Sequence, residues 1–260
     1  MSTLTAREKA AVKWLELRGV QVAEPMTLLT SRLSVRRGKR SPDAFTAAFF
    51  VYLLTFAGIF VYQFLLLILV DDHNDLPDGG LAFCIFGMVV LTTWLHVRAG
   101  DREAIARLGD RLDRPRPPWR EVLGGWYLTT LAVTFGGGAV LGIVLAAGGS
   151  LWAWLWLSLL ALGAIVDAVI LTSVLRRPVI AEDEGSLAVD AVTRLEDVQL
   201  AMPSAFALPV VADLVFMDLP AKPWLIGYVV LAVATHVVAR ITQRRRIPAL
   251  PADGYYGEAR

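Results

Sequence analysis

The sequence predicts an all-α polytopic membrane helix bundle, and three observations carry that prediction. Hydrophobic residues make up 56% of the 260-residue chain, above the roughly 45–50% usual for soluble proteins. They gather into uncharged runs close to the ~20 residues that a helix needs to cross a bilayer. The basic residues fall between those runs in a one-sided pattern. A soluble globular domain and a disordered chain are thereby excluded. So is a disulfide scaffold, because Cys84 is the only cysteine and lies inside an apolar run.

About six transmembrane segments follow. Residues 44–70 and 80–97 carry no Asp, Glu, Lys or Arg, and the second run ends at Arg98. The third and fourth, about 122–147 and 151–175, are separated only by Gly148, Gly149 and Ser150, which forces an antiparallel hairpin. Residues 203–217 form the weakest segment, short and interrupted by Pro209 and Asp213, with a re-entrant or kinked path as the alternative. Residues 223–239 complete the set, closed by Arg240 and the run Arg244, Arg245, Arg246.

With this map, every basic residue except Lys222 falls on one side of the membrane. Positive charge near span ends stays cytoplasmic, so the expected location is the plasma (cell) membrane with both termini cytoplasmic. Five spans would place Arg240–Arg246 outside, against the rule. The expected organisation is a basic cytoplasmic or interfacial arm over 1–43, a transmembrane bundle over 44–240 and a cytoplasmic tail over 241–260. Cytoplasmic loops lie at 98–121 and 176–202. The first forty residues are polar and basic, unlike a cleavable signal peptide, so residues 44–70 serve as the insertion signal. Arginine outnumbers lysine 21 to 4, a bias expected of a GC-rich bacterial genome.

Three segments outside the bilayer favour helix. Residues 3–18 place Ala11, Trp14 and Leu15 near one face, as in a helix lying at the interface with the Trp14 ring among headgroups. Residues 26–35 continue that pattern, with Leu28, Leu29 and Leu33 interleaved with Arg32 and Arg36. In DREAIARLGDRLD (101–113), Ala104, Ile105, Leu108 and Leu112 recur at helical spacing behind Asp101 as N-cap. Such a helix lies on headgroups or fits a cleft on a soluble motor subunit. In RRPVIAEDEGSLAVDAVTRLEDVQ (176–199), Ser186 is an expected cap, and Leu187, Val189, Val192, Leu195 and Val198 form a stripe. This acidic helix should avoid anionic lipid and contact the protein's own basic arm or a partner. The stretch RRPVIAEDEGSLAVDAV, following a Trp-rich span, resembles uncharacterised multi-span membrane proteins of high-GC Gram-positive bacteria. Some of these are encoded near GntR-type regulators and ABC transporter ATPases, and the resemblance implies membership in a membrane complex.

Inside the bilayer, Asp167 stands out. It lies nine residues before Arg176, about 13 Å deep at ~1.5 Å per residue. An ionised carboxylate there costs at least ~2.5–3.5 kcal/mol, so it requires a partner or a proton. The candidate partners are His236 and the hydroxyls of Thr92, Thr93, Thr129, Thr130, Thr134 and Thr235. Such a group either joins helices or relays protons or ions. Asp213, four residues after Pro209, is the second buried acid, with a position near the outer interface as the plainer reading. Trp152, Trp154 and Trp156 are expected as an outer aromatic belt. Gly138, Gly142 and Ala146 repeat at i+4 and allow close helix packing, either against the fourth segment through Gly163, Ala164 and Ala168 or across a homodimer.

The acidic turn 71–80, with Asp71, Asp72, Asp75 and Asp78 around His73, reads as solvated rather than as a calcium loop. No phosphate loop, nucleophile elbow, metalloprotease or CxxC motif is present, and no cofactor or metal site is expected. Membrane orientation accounts for the basic residues, which argues against nucleic-acid binding. The leading expectation is therefore a non-enzymatic membrane subunit of an ATP-driven transporter or similar complex. The soluble ATPase partner would be coupled through 101–113 and 176–199. The alternatives are an ion-coupled secondary carrier using Asp167, and a scaffold or sensor. Topology is directly testable in a cysteine-free background (Cys84→Ala). An impermeant maleimide added to intact cells should label Leu76→Cys and spare Glu258→Cys. The opposite pattern would invert the map.

Overall fold

Thr5 and Glu8 start the first helix by exchanging hydrogen bonds. Thr5 N–H donates to Glu8 Oε2 at 2.6 Å, and Glu8 N–H donates to Thr5 Oγ1 at 3.3 Å, satisfying amides that have no partner within a helix. Helix α1 runs Ala6–Glu16, strand β1 Val22–Pro25 and helix α2 Thr27–Arg37. The structure is a computed structural model that describes residues 4–37, 79–108, 115–216, 219 and 221–259. The first expected span, 44–70, and the acidic residues of 71–78 lie outside the described residues.

Helix α3 spans Gly79–Arg107, and a single turn, α4, spans Trp119–Leu123. Helix α5, Gly125–Ala147, contains a π-helical stretch over Ala132–Gly137. The turn after it places Gly149 at φ 91°, a left-handed conformation that a side chain disfavours. Helix α6 (Leu151–Arg176) returns alongside α5. Helix α7 (Glu184–Val198) follows, then a 3₁₀ turn over Pro203–Phe206 and α8 (Pro209–Phe216). Helix α9 (Lys222–Arg246) leads to strand β2 (Gly257–Ala259).

Among the described residues, four helical stretches are long and apolar enough to cross a membrane: Gly125–Ala147, Leu151–Arg176, Glu184–Val215 and Lys222–Arg246. The third changes character along its length, because α7 is charged and only the part beyond the Pro203 turn is apolar. The exposed faces fit lipid. Val140, Ile143 and Val144 on α5 and Ile226, Val230 and Val237 on α9 are all exposed, a coat that water would not tolerate over so large an area.

The fold departs from the sequence reading in several places. It is not wholly α: β1 and β2 pair antiparallel, Val22 opposite Ala259 and Pro25 opposite Gly257, joining the arm to the tail. Helix α1 does not lie on lipid. Its Ala11, Trp14 and Leu15 are buried with Leu29 and Leu33 of α2, Val189 and Val192 of α7, and Leu250 and Tyr256 of the tail. Trp14 Nε1 donates to Glu196 Oε2 at 3.4 Å. Asp101 is not an N-cap, because α3 runs straight through it to Arg107; Ala104 packs with Leu28 and Ile180. Ser186 sits inside α7, whose cap is Asp183, accepting from Ser186 N–H at 2.6 Å. Among the described residues, Ala104 and Ile105 of α3, the following Leu108, and Val189 and Val192 of α7 thus pack against other parts of this chain.

What joins this cap to the bundle is a cluster of buried charges. Arg32, 1% exposed, donates from Nε to Asp101 at 3.0 Å and from Nη2 to Asp190 at 2.7 Å. Arg36 holds both oxygens of Asp197 at 2.7 Å. Arg177 pairs with Asp101 and, at 2.6 Å, with Asp197. Arg194 reaches Asp190 at 3.1 Å and donates to Val174 O at 2.8 Å, capping the end of α6. The acidic helix thus meets the chain's own basic arm. Burial alone would push Asp101 up, but Arg32, Arg177 and Arg36 outweigh it and hold its carboxyl at about 2. Asp190 is lowered too, because Arg32, Arg177 and Arg194 outweigh its burial.

Asp101 lies below its ordinary value of 3.8 in the fold, so its stabilisation is complete above that pH and is lost as pH falls through about 2. By linkage it amounts to on the order of 2 kcal/mol. Asp101→Asn should cost roughly 3–5 kcal/mol at neutral pH, because it strands buried guanidiniums. Thermal unfolding of the detergent-purified protein checks both. The variant should also lose less stability than the parent when the pH drops from about 5 to about 2.5.

Candidate functional site

Helix α6 buries Gly163, Asp167, Ile170, Leu171 and Val174. These recur at three- and four-residue spacing and so share one face, which carries the carboxylate into the bundle with the apolar side chains. Asp167 is 1% exposed, and neither of its oxygens has a hydrogen-bond partner among the described residues. An unsatisfied polar atom in such surroundings costs a few kcal/mol, and an ionised one more.

The expected partners do not supply the missing bonds. Thr92, Thr93, Thr129, Thr130 and Thr235 donate to carbonyls one turn back in their own helices, at 2.6, 2.7, 3.1, 3.0 and 2.9 Å. In an apolar medium that local acceptor is always within reach, so these hydroxyls satisfy themselves. The expected Asp167–His236 pair is not formed, since both carboxylate oxygens are unbonded and His236 Nδ1 also lacks a partner. His236 is half-buried beside the lipid-facing side of α9. Tyr127 lies within electrostatic reach of the Asp167 carboxylate. Its hydroxyl, however, donates to Ala201 O at 2.6 Å.

Helix α5 packs against both α6 and α9. In its π-helical stretch the carbonyls lose their ordinary register, and Tyr228 of α9 donates its hydroxyl to Thr134 O at 2.8 Å. Thr134 Oγ1 is buried with no partner. The π-helical stretch ends just before Gly138, where an added Cβ would meet Tyr228 and Leu160 at 2.8 Å. At Gly142 it would meet Leu157 at 2.7 Å. Gly138, Gly142 and Ala146 are buried together, and α6 covers them through Trp156, Leu157 and Leu160. Gly163, expected in that contact, instead faces Phe206, 2.6 Å from a Cβ built there.

Asp213 is buried and accepts from Trp152 Nε1 at 2.9 Å, so it is a tied structural acid rather than part of the Asp167 site. Trp152 and Trp156 also leave the expected outer belt. They stack at 5.3 Å inside the bundle, and Trp156 meets Tyr228 edge-on at 5.5 Å. Only Trp154 of the three faces outward. The reason is helical phase, since residues 152 and 156 share a face and 154 does not. No cluster of three His, Cys, Asp or Glu side chains able to hold a metal occurs among the described residues. Arg177, Tyr127 and Tyr228 were not singled out from sequence. The glycine run 136–138 is the sequence signal nearest to the π-helical stretch. Comparison with protein-family models, curated proteins and solved structures finds no match for this chain.

Packing at α5 gives a contrast to measure. Gly142→Leu should lower stability in detergent by about 1–3 kcal/mol, because the side chain must displace Leu157. Gly227→Ala, where a Cβ meets nothing within 4 Å, should leave stability unchanged or raise it by up to about 1 kcal/mol.

Proposed function

We propose that the protein is a self-contained, ion-coupled membrane carrier in which Asp167 binds and releases the coupling proton or cation. A single observation carries this reading: the carboxylate is buried in the apolar core with both oxygens unbonded. A proton or a small cation would satisfy it, and two such states are what coupling requires. The π-helical stretch in α5, the helix packed beside α6, adds support, because π-bulges within helices recur at functional sites. The proposed topology is six spans in the plasma membrane with both ends cytoplasmic. Pairing of β1 with β2 supports it, since joined ends require an even number of crossings.

A second reading, a membrane subunit driven by a soluble ATPase, is favoured by a different observation. Trp119 is half-exposed on the short helix α4, with Arg120 5.2 Å above its ring. That leaves a compact aromatic and basic surface for a partner.

The carrier reading is tested with Asp167→Asn. In the parent protein, infrared difference spectra taken over about pH 5 to 9, or on sodium addition, should contain a carboxylic band that Asp167→Asn removes. Gradient-driven uptake into proteoliposomes should vanish in the variant while its thermal stability is retained. A band set identical in both proteins would leave Asp167 a fixed structural group and end the proposal. A soluble ATPase that co-purifies and is needed for uptake would favour the second reading.

A further inference from the structure

We propose that the arginine-rich end of the bundle holds a specific site for an anionic glycerophospholipid, set in a pocket between α3 and α6. The pocket has a volume of about 700 Å³ and is lined by Arg98 and Arg102 of α3, by Arg176 and Arg177 at the end of α6, and by Ile165 and Val169 below them. Its two acidic lining residues, Asp101 and Asp197, are already committed to Arg32, Arg36 and Arg177. Arg98, Arg102 and Arg176 have no carboxylate partner among the described residues. The Arg98 guanidinium is held 4.9 Å over the Trp94 ring, itself part of the lining. Three uncompensated guanidiniums around one opening form a strongly anion-seeking site, and their planar forks match phosphate oxygens.

The lower wall decides the kind of anion. Ile165 and Val169 are 59% and 48% exposed, on a helix long and apolar enough to cross the membrane. An apolar wall running down from a basic rim complements an acyl chain beneath a phosphate, not a free ion in water. Basic pockets between helices at a membrane surface take anionic headgroups for the same reason. Arg177 adds rigidity: its Nη1 is fixed by Asp101 and Asp197, and its Nη2 lies 3.6 Å from Asp190 Oδ1. The site is separate from Asp167 and stands whether or not the carrier reading does.

Full-length protein in neutral detergent is titrated with dioctanoyl phosphatidylglycerol, with dioctanoyl phosphatidylcholine and with inorganic phosphate, and adducts are read by native mass spectrometry. Phosphatidylglycerol should bind at least about tenfold tighter than phosphatidylcholine, and the triple variant R98Q/R102Q/R176Q should erase that preference. R240Q/R244Q/R245Q, which removes three exposed arginines of α9, should retain it. Val169→Trp, which narrows the apolar wall and leaves the arginines in place, should also weaken lipid binding, and it carries the test if the triple variant aggregates. Equal losses in both triple variants would mean a diffuse surface charge and overturn the site. Equal binding of the two lipids would overturn it too. So would displacement of phosphatidylglycerol by millimolar phosphate, which would indicate a site for the free ion.

Discussion

Arg32, Arg36, Arg177 and Arg194 meet Asp101, Asp190 and Asp197 where the N-terminal arm, the end of α6, the C-terminal part of α3 and the helix α7 converge. Taking that many charges out of water is expensive, and the attraction between them recovers the cost only if nearly every lone pair and N–H is placed. The cluster therefore acts less as a source of net stability than as a constraint on register. A shift of one residue in α3 or α7 would leave several ions buried and unpaired, so the arrangement fixes how the cap sits on the bundle. Antiparallel pairing of β1 with β2 and the apolar core around Trp14 then close the cap over it.

The same constraint explains why the amphipathic segments outside the bilayer do not float free. Their apolar stripes and charges are complementary to each other: the stripe of α7 receives α1 and α2, and its acids receive their arginines. A segment that looks like an interfacial anchor when read alone becomes half of an internal interface once its partner, more than a hundred residues away, is placed beside it. Arginine falls into three groups here. Some residues lie exposed at the end of α9, some neutralise buried aspartates, and others line the mouth between α3 and α6.

Within the bundle the polar groups divide by how far they must reach. Threonine hydroxyls find a carbonyl one turn away and need nothing from neighbouring helices. Tyr127 and Tyr228 reach across to carbonyls of other segments, Ala201 and Thr134. Asp213 is met by Trp152. Asp167 has no such neighbour among the described residues. That inequality separates the acid that ties helices together from the acid left without a hydrogen-bond partner, although both are buried carboxylates on apolar helices.

Periodicity and charge bias were enough to identify a membrane protein, the tight hairpin at Gly148–Ser150, the broken segment near Pro209, the small-residue face of α5 and Asp167 as the buried acid of interest. Each depends on interactions within a few turns of chain, where residue type dictates the outcome. Tertiary structure alone decided that Asp101 lies within a continuous helix, that Trp152 and Trp156 point inward, that Asp167 has neither His236 nor a threonine as partner, and that three arginines are left around one pocket. Those outcomes depend on which distant groups satisfy one another first. In a medium without water that competition is settled by three-dimensional proximity, which a linear pattern does not encode.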